Sequence, residues 1–356
     1  MFAGLDGLKN QDFGAVSLKF LELDTPGRRE VFERAARELG RSPLVLEKDL
    51  WVCWCLERIF ESDLKQRVVF KGGTSLSKVY RVIDRFSEDI DLTVSKLDIG
   101  FSKSDHNLSK TKLKQKLEEV SNTLSQLLEK EYLPLFLSEP EVSARISEKD
   151  RNTILVHYPS VYISENAPYI EPLVRLEFGA RNPTEPSERH DIMFDAQDVF
   201  PRITFPSASV SVLSARRTFW EKATLLHMLY YCAYEKLSGG RAERQARHYY
   251  DLAKLADHDE GKGAIEDDFH LLEVVSRDKA TLFPAAWARY DEAKRGSLRL
   301  VPNPPLSRLL ADDFQKMIRS GMFGTARSPV TRSPESPPSW GEILERLKGL
   351  ESRINS

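Results

Sequence analysis

The sequence is short of the features that define several classes of protein. Its 356 residues include three cysteines, Cys53, Cys55 and Cys232, none of them in a CxxC pair, which excludes a disulfide framework. No apolar run approaches the length of a membrane span, and the first residues lack the basic segment and apolar run of a signal peptide. We therefore expect a cytoplasmic protein with reduced thiols and no membrane partner.

An excess of charge of one sign is also missing. The chain carries 52 Lys and Arg residues against 54 Asp and Glu residues, so the whole molecule has no electrostatic attraction to nucleic acid. Locally, residues 215–254 hold eight Lys or Arg residues against four Asp or Glu residues. This segment either binds an RNA backbone or forms a solvated helical face, and the sequence favours neither interpretation.

What the sequence does contain is a double glycine followed by two closely spaced aspartates, in FKGGTSLSKVYRVIDRFSEDIDLTV at residues 70–94. Asp89 and Asp91 lie one position apart in an alternating stretch that predicts a strand, so both side chains point to one face. Two unpaired carboxylates at that distance repel each other, and a divalent metal removes the cost. Oxygen ligands of this kind suit Mg²⁺ or Mn²⁺.

The glycines predict the other half of a binding site. Gly72 and Gly73 follow a short β-branched run and allow a tight strand-to-helix turn, in which backbone N–H groups face an anion. The hydroxyls of Thr74 and Ser75 are further donors, and Lys71 and Lys78 add positive charge. Together with the carboxylates, this turn predicts a site for a metal-bound triphosphate. The spacing does not fit GxxxxGK[ST], so a P-loop ATPase is disfavoured.

The stretch KGGTSLSKVYRVIDRFSEDIDL resembles the DNA polymerase β-type nucleotidyltransferase superfamily, in which a glycine turn precedes Asp-x-Asp on a strand. It is closer still to the AbiEii/AbiGii abortive-infection toxin family of bacterial toxin–antitoxin systems, which includes the MenT nucleotidyltransferase toxins. Further segments resemble other motifs of the family in the same order: EKDLWVCWCLERIF, LVRLEFGAR, TFWEKATLLH and ARHYYDLAKL. The resemblance therefore covers most of the chain.

The resemblance implies a catalytic set of four residues. Asp89 and Asp91 would bind the metal. Lys222 would contact the triphosphate, where its charge would stabilise the leaving pyrophosphate. Asp251 would face the active site, either near the metal or orienting Lys222 and Arg247.

Three further positions complete the expected site. By resemblance, Ser87 touches the nucleotide phosphates, and Arg247 is a candidate for phosphate or base contact. Glu177 shares one face of its strand with Arg175, so it is either a third metal carboxylate or the partner of Arg175 in an ion pair. Glu88 lies on the opposite strand face from the aspartates, where a solvent-exposed or ion-paired role is expected.

The activity that the resemblance implies is transfer of a nucleoside monophosphate from an NTP to an acceptor hydroxyl, with release of pyrophosphate. It also implies a toxin that halts growth during phage infection or stress, with a separately encoded antitoxin as partner. In the MenT branch the acceptor is the 3′ end of tRNA, which makes tRNA the leading acceptor here. The alternatives are AMP or UMP transfer to a protein hydroxyl, and a non-catalytic nucleotide-binding module.

An α/β (α+β) architecture with two main domains is expected. A polymerase β-like nucleotidyltransferase domain with a small mixed sheet would span residues 1–206, and a helical domain would span residues 207–325. A Pro/Ser-rich linker at 326–339 would lead to a C-terminal helix at 340–356 that docks back on the core. The active site is expected in the cleft between the two domains.

The pattern also predicts individual elements of the first domain. Apolar residues at helical spacing predict two helices between Pro26 and Phe60, one over SLSKVYRVID, and one from Ser104 to Glu131. The runs RVVF, DIDLTV, NTILVHYPS and PLVRLEFGAR predict four strands.

Overall fold

The computed structural model describes residues 18–87, 89–162, 171–232, 243–319, 323 and 337–356. The expectation for Glu88 lies outside these residues, as does most of the predicted linker at 326–339. Within the described ranges, the α-helices are α1 (Thr25–Leu39), α2 (Pro43–Phe60), α3 (Gly72–Lys78), α4 (Lys110–Leu127), α5 (Ala215–Tyr231), α6 (Ala246–Asp257), α7 (Asp259–Glu266), α8 (His270–Leu282), α9 (Pro304–Arg319) and α10 (Trp340–Asn355). None of them is long and apolar enough to cross a membrane.

Seven strands form one mixed sheet, and two short ones form a separate parallel pair. The strands are β1 (Leu18–Lys19), β2 (Val68–Lys71), β3 (Asp89–Val94), β4 (Ser143–Ile146), β5 (Thr153–His157), β6 (Leu173–Gly179), β7 (Ser187–Met193), β8 (Ile203–Thr204) and β9 (Ser207–Leu213). The order in the large sheet is β4-β5-β6-β3-β2-β9-β7, with β3 parallel to β6 and β2 parallel to β9. The expected α/β class is confirmed, although the sheet is larger than the small one predicted.

The strands missed from the sequence lie towards the edges of the sheet. β7 reads SERHDIM, and Ile192 is its one buried residue, so it shows no apolar alternation. Its backbone is held by seven-residue antiparallel pairing with β9. The formation of such a polar edge strand depends on pairing with the neighbouring strand, and its own sequence shows no apolar alternation that would predict it.

The helix predicted over SLSKVYRVID is wrong beyond Lys78, where α3 ends. Arg81 has a left-handed backbone with φ 52°, which no continuous helix contains. Val82 donates its N–H to the carbonyl of Leu76, and Val82 and Ile83 then pack into the core of the helical part. Burial of these two side chains therefore overrides the local helical pattern.

The helix predicted between Ser104 and Glu131 is confirmed as α4, with narrower bounds. Its apolar stripe is buried at Leu113, Leu117, Val120 and Leu124, as the helical spacing predicts. The last predicted residues continue as one π-helical turn, Leu128–Tyr132.

Two apolar cores divide the molecule. One lies on the large sheet under α1, α2 and α4, and the other is built by α5, α6, α8, α9 and α10. β9 begins at Ser207 and pairs with β2 and β7, so the sheet extends past the predicted boundary at 206/207. The helical part begins at Ala215, and we therefore propose the boundary at Ser214.

The C-terminal helix α10 packs against the helical core. Ile343, Leu347, Leu350 and Ile354 are buried in it at helical spacing. At its start, the indole N–H of Trp340 donates to Ser307 Oγ at 3.2 Å. The apolar stripe thus attaches the chain end to the domain that carries one wall of the candidate site.

Truncation of one residue in this stripe tests the docking of α10. Leu347→Ala should lower the free energy of unfolding by about 2–5 kcal/mol, because Leu347 is fully buried and its loss leaves a cavity. The control is Lys348→Ala on the exposed side of the same helix, which should change it by less than about 0.5 kcal/mol. Equal urea midpoints for the two variants would contradict the docking.

Candidate active site

An open cleft lies where the sheet meets the helical part. One wall is formed by β2, β3, β6 and the glycine turn, and the other by α5, α6 and the end of α8. The residues that line it are Lys71, Gly72, Gly73, Arg85, Ser87, Asp89, Asp91, Glu177, Asn182, Thr218, Glu221, Lys222, Leu225, Arg247, His248, Lys279 and Phe283.

Strand register places a row of charged side chains on the sheet wall. Asp91 pairs with Glu177 in the parallel ladder of β3 and β6, and with Lys71 in the antiparallel ladder of β2 and β3. Asp89 pairs with Arg175 one step away. Residues opposite each other on paired strands share a face, so three carboxylates and two cations lie side by side.

The glycine turn fits closely around this row. Gly72 has φ 83°, and a Cβ at this position would lie 1.9 Å from Asp91 Oδ2, so no larger residue fits without displacing that carboxylate. A Cβ on Gly73 would lie 2.7 Å from Arg85 Nη2 and 2.9 Å from Ser87 Oγ. Neighbouring side chains therefore occupy the space that a side chain at either position would need. Both glycines also line the cleft.

Asp89 and Glu177, the other two carboxylates of the row, differ in their ion-pair partners. Asp89 forms ion pairs with Arg244 at 3.0 Å and with Arg175 at 3.6 Å. Arg175 thus contacts Asp89 and not Glu177, and we find no ion pair of Glu177 among the described residues. Desolvation in the cleft and the negative charges of Asp91 and Asp89 raise the pKa of Glu177. The row therefore carries negative charge that is only partly neutralised.

The donor set suits a hard divalent cation, although its present arrangement is not a finished metal site. Within the described ranges, no group of three or more His, Cys, Asp or Glu residues is arranged to hold a metal. All three carboxylates line the cleft, but Asp89 is engaged in ion pairs with Arg244 and Arg175. Carboxylate oxygens are the ligands that Mg²⁺ and Mn²⁺ prefer, so these residues fit such an ion once Arg244 releases Asp89.

A buried ion cluster lies behind the other wall of the cleft. Asp251 on α6 is fully buried and accepts hydrogen bonds from Arg85 Nε at 2.7 Å, Arg85 Nη2 at 2.8 Å and Lys222 Nζ at 2.9 Å. Burial alone would raise the pKa of Asp251, but Arg85 and Lys222 hold it well below its usual range. Asp251 is not among the described residues that line the cleft, and it holds Lys222 by a hydrogen bond.

The predicted phosphate-binding residues divide into two groups. Gly72, Gly73, Ser87, Lys222 and Arg247 line the cleft together.

Thr74, Ser75 and Lys78 lie elsewhere. The Thr74 hydroxyl donates to the carbonyl of Asp89, and the Ser75 hydroxyl donates to the carbonyl of Gly72 at 2.9 Å, so both brace the turn. The side chain of Lys78 is buried between Asp49 at 2.5 Å and Asp195 at 3.0 Å, so these carboxylates already occupy the charge that was predicted to bind phosphate.

The basic segment at 215–254 is partly neutralised within the described residues. Arg216 contacts Glu260, Asp267 and Asp268, while Arg217 contacts Glu221 and Asp278. These contacts favour a paired helical surface over an RNA-binding patch at Arg216 and Arg217.

Two cleft residues of the site were missed from the sequence. Arg85 stands two positions before Ser87 in the glycine–aspartate stretch, but its partner Asp251 is 166 residues away. The sequence shows that Arg85 is close to the motif, whereas its role depends on a tertiary contact. Lys279 lies on α8 in a segment without a motif, and nothing in the sequence marks it.

Comparison with known proteins identifies the class as nucleotidyltransferase toxins. The model of the family described as "Nucleotidyl transferase AbiEii toxin, Type IV TA system" matches residues 54–346. The chain belongs to this family of nucleotidyltransferase toxins of type IV toxin–antitoxin systems. No curated protein sequence matches the chain.

Among solved structures, the chain is similar to MenT4, a nucleotidyltransferase toxin from Mycobacterium tuberculosis H37Rv. The two are 16% identical with a TM-score of 0.47, and the superposition covers 91% of this chain and 89% of that chain.

Removal of the central carboxylate tests the buried cluster. Asp251→Asn should lower the free energy of unfolding at pH 7 by about 3–5 kcal/mol, because it leaves Arg85 and Lys222 buried without a countercharge. The control is Asp257→Asn on the same helix as Asp251, which breaks an exposed ion pair with Arg346 of α10 and should cost less than about 1 kcal/mol.

The pH dependence of that difference has a defined sign. A depressed pKa means that Asp251 contributes stability above its unfolded-state pKa of about 4, and that this contribution is lost as the pH falls further. Urea unfolding from pH 7 to pH 3 should show the gap between wild type and Asp251→Asn closing below about pH 4. Equal unfolding free energies of wild type and Asp251→Asn at pH 7, or a difference that grows in acid, would contradict the stabilising role of Asp251.

Proposed function

We propose that the protein transfers a nucleoside monophosphate from an NTP to an acceptor hydroxyl in this cleft, with release of pyrophosphate. The observation that carries the proposal is the opposition of the two walls. The Asp89, Asp91 and Glu177 carboxylates lie on the sheet side, and Lys222, held by Asp251, lies on the helical side. Membership of a nucleotidyltransferase family supports the same reaction.

The reaction exchanges one phosphorus–oxygen bond for another. The acceptor oxygen bonds to the α-phosphorus, and the bond from the α-phosphorus to the bridging oxygen breaks. Pyrophosphate leaves with the electron pair, and the hydroxyl proton passes to solvent. Because little covalent chemistry is left to the protein, catalysis depends on positioning and on charge stabilisation.

Individual residues divide this work. Gly72, Gly73 and Ser87 position the phosphates against the turn, and Arg247 contacts them from the helical wall. Lys222 stabilises the charge that develops on pyrophosphate. Burial, with the charges of Arg85 and Arg247, lowers the pKa of Lys222 in spite of Asp251, so a bound anion would stabilise the charged form of Lys222.

Asp89, Asp91 and Glu177 would hold Mg²⁺ or Mn²⁺. Such an ion supplies charge neutralisation for the triphosphate and polarises its oxygens. Arg244, which holds Asp89 at 3.0 Å, would have to release it for the ion to bind.

The acceptor that we propose is the 3′ end of tRNA, and we propose a cognate antitoxin as partner in phage defence in the cytoplasm. Both rest on the resemblance to MenT-type toxins. A protein hydroxyl is the alternative acceptor, and a non-catalytic nucleotide-binding module is the alternative class.

The test of the reaction is incubation with each labelled NTP, Mg²⁺ and total tRNA. Label is expected in RNA, and Asp91→Asn should lower the transfer rate by at least about 100-fold, since a charge that holds the substrate complex is lost. Asp191→Asn, an exposed aspartate on β7 of the same sheet, is the matched control and should keep wild-type activity. Label in protein would instead support the protein acceptor, and NTP binding without any transfer would contradict catalysis.

The role of Glu177 is tested by direct metal binding. If Glu177 is a third ligand, Glu177→Gln should weaken Mn²⁺ binding by about tenfold, as measured by titration calorimetry with the full chain. The same variant should raise the melting temperature of the metal-free protein, because it removes a carboxylate that Asp91 and Asp89 repel. An unchanged Mn²⁺ affinity would show that Glu177 is not a metal ligand, and the metal site would then consist of Asp89 and Asp91.

A further inference from the structure

The cleft contains two lysines that the buried ion cluster does not use. Five cationic residues line the cleft, and two of them, Arg85 and Lys222, are bound to Asp251. The ammonium groups of Lys71 and Lys279 have no ion pair or hydrogen bond within the part of the chain that the structure describes. The Lys279 ammonium lies over the ring of Phe283, another cleft residue, 5.7 Å from the ring centroid.

The positive charge around Lys279 is offset in part by Glu221. Burial lowers the pKa of Lys279, and the charges of Lys71, Arg217 and Lys222 lower it further, while Glu221 opposes them. Glu221 is itself in an ion pair with Arg217 at 3.3 Å. Three cations therefore act on Lys279 against one carboxylate, which is shared with Arg217.

A purely structural role explains this arrangement poorly. A lysine in the last turn of a helix commonly reaches into water and stabilises the helix dipole. Lys279 instead lines the cleft together with Lys71 and Lys222, and gathering these like charges costs free energy that a bound anion would offset.

We infer that Lys279 and Lys71 form a phosphate-binding subsite in the cleft, beside Lys222. The strand register supports this assignment, since Lys71 stands opposite Asp91 on the neighbouring strand and shares its face. The subsite thus adjoins the carboxylate row, and a metal-bound triphosphate has its phosphates next to its metal. The inference rests on the proposed function, and it assigns these lysines to the β- and γ-phosphates of the NTP and to the pyrophosphate that leaves.

The variants for the test leave the apolar stem of the residue in place. Lys279→Met removes the charge, and Lys279→Arg retains it. Arg277→Met, which removes an exposed charge two positions away on α8, is the matched control. Because Lys279 sits among like charges, Lys279→Met should not lower the melting temperature, so a folding defect can be recognised separately.

The first measurement is binding of inorganic pyrophosphate to the full chain with Mg²⁺, by titration calorimetry. Lys279→Met should weaken it by about tenfold or more, the loss expected for one charge-assisted hydrogen bond, and should raise the KM for NTP. Lys279→Arg and Arg277→Met should bind within about twofold of wild type. If Lys279→Met binds pyrophosphate as wild type does, the assignment to the NTP is overturned.

The second measurement is binding of total tRNA without nucleotide. Weaker tRNA binding by Lys279→Met with unchanged pyrophosphate binding would place an RNA phosphate in the subsite. No change in either ligand would overturn the subsite itself. Pyrophosphate binding needs no turnover. If the wild type transferred no nucleotide, the proposed function would be refuted, but the binding measurement would still test the subsite.

Discussion

The hydrogen bonds from Arg85 and Lys222 to Asp251 are the interaction on which the rest of the site depends. Three buried charged groups are costly to desolvate, and they are stable only while each finds its partners. Arg85 precedes β3, Lys222 lies on α5 and Asp251 lies on α6, so their contact fixes the helices relative to the aspartate strand. The same guanidinium lies against Gly73 and supports the turn.

A second constraint comes from the register of three strands. Lys71 on β2, Asp91 on β3 and Glu177 on β6 follow one another across three neighbouring strands. Backbone pairing therefore fixes where these charged residues lie relative to one another. Gly72 then has to lack a side chain, since Asp91 occupies the space of its Cβ. Sheet and ion cluster together place Asp89, Asp91 and Glu177 on one wall of the cleft and Lys222 on the other.

Local signals in the sequence predict much of this frame. Pro43 at the start of α2, the apolar stripe of α4 and the alternation of β3 each carry their own structural preference, and Asp89 and Asp91 share a face because of strand geometry alone. Residues whose roles depend on distant partners could not be predicted in this way. Lys78 follows a glycine turn as a phosphate ligand would, but Asp49 and Asp195 bury it in another ion cluster.

The central claim is that the α-phosphate of an NTP moves to an acceptor while its outer phosphates leave as pyrophosphate. Parallel reactions of the wild-type chain with the same NTP, labelled at either the α- or the γ-phosphate, test this directly. The account predicts α-label in the acceptor and γ-label in pyrophosphate, in equal amounts. Transfer of the γ-label to the acceptor, or release of γ-label as single phosphate, would contradict it.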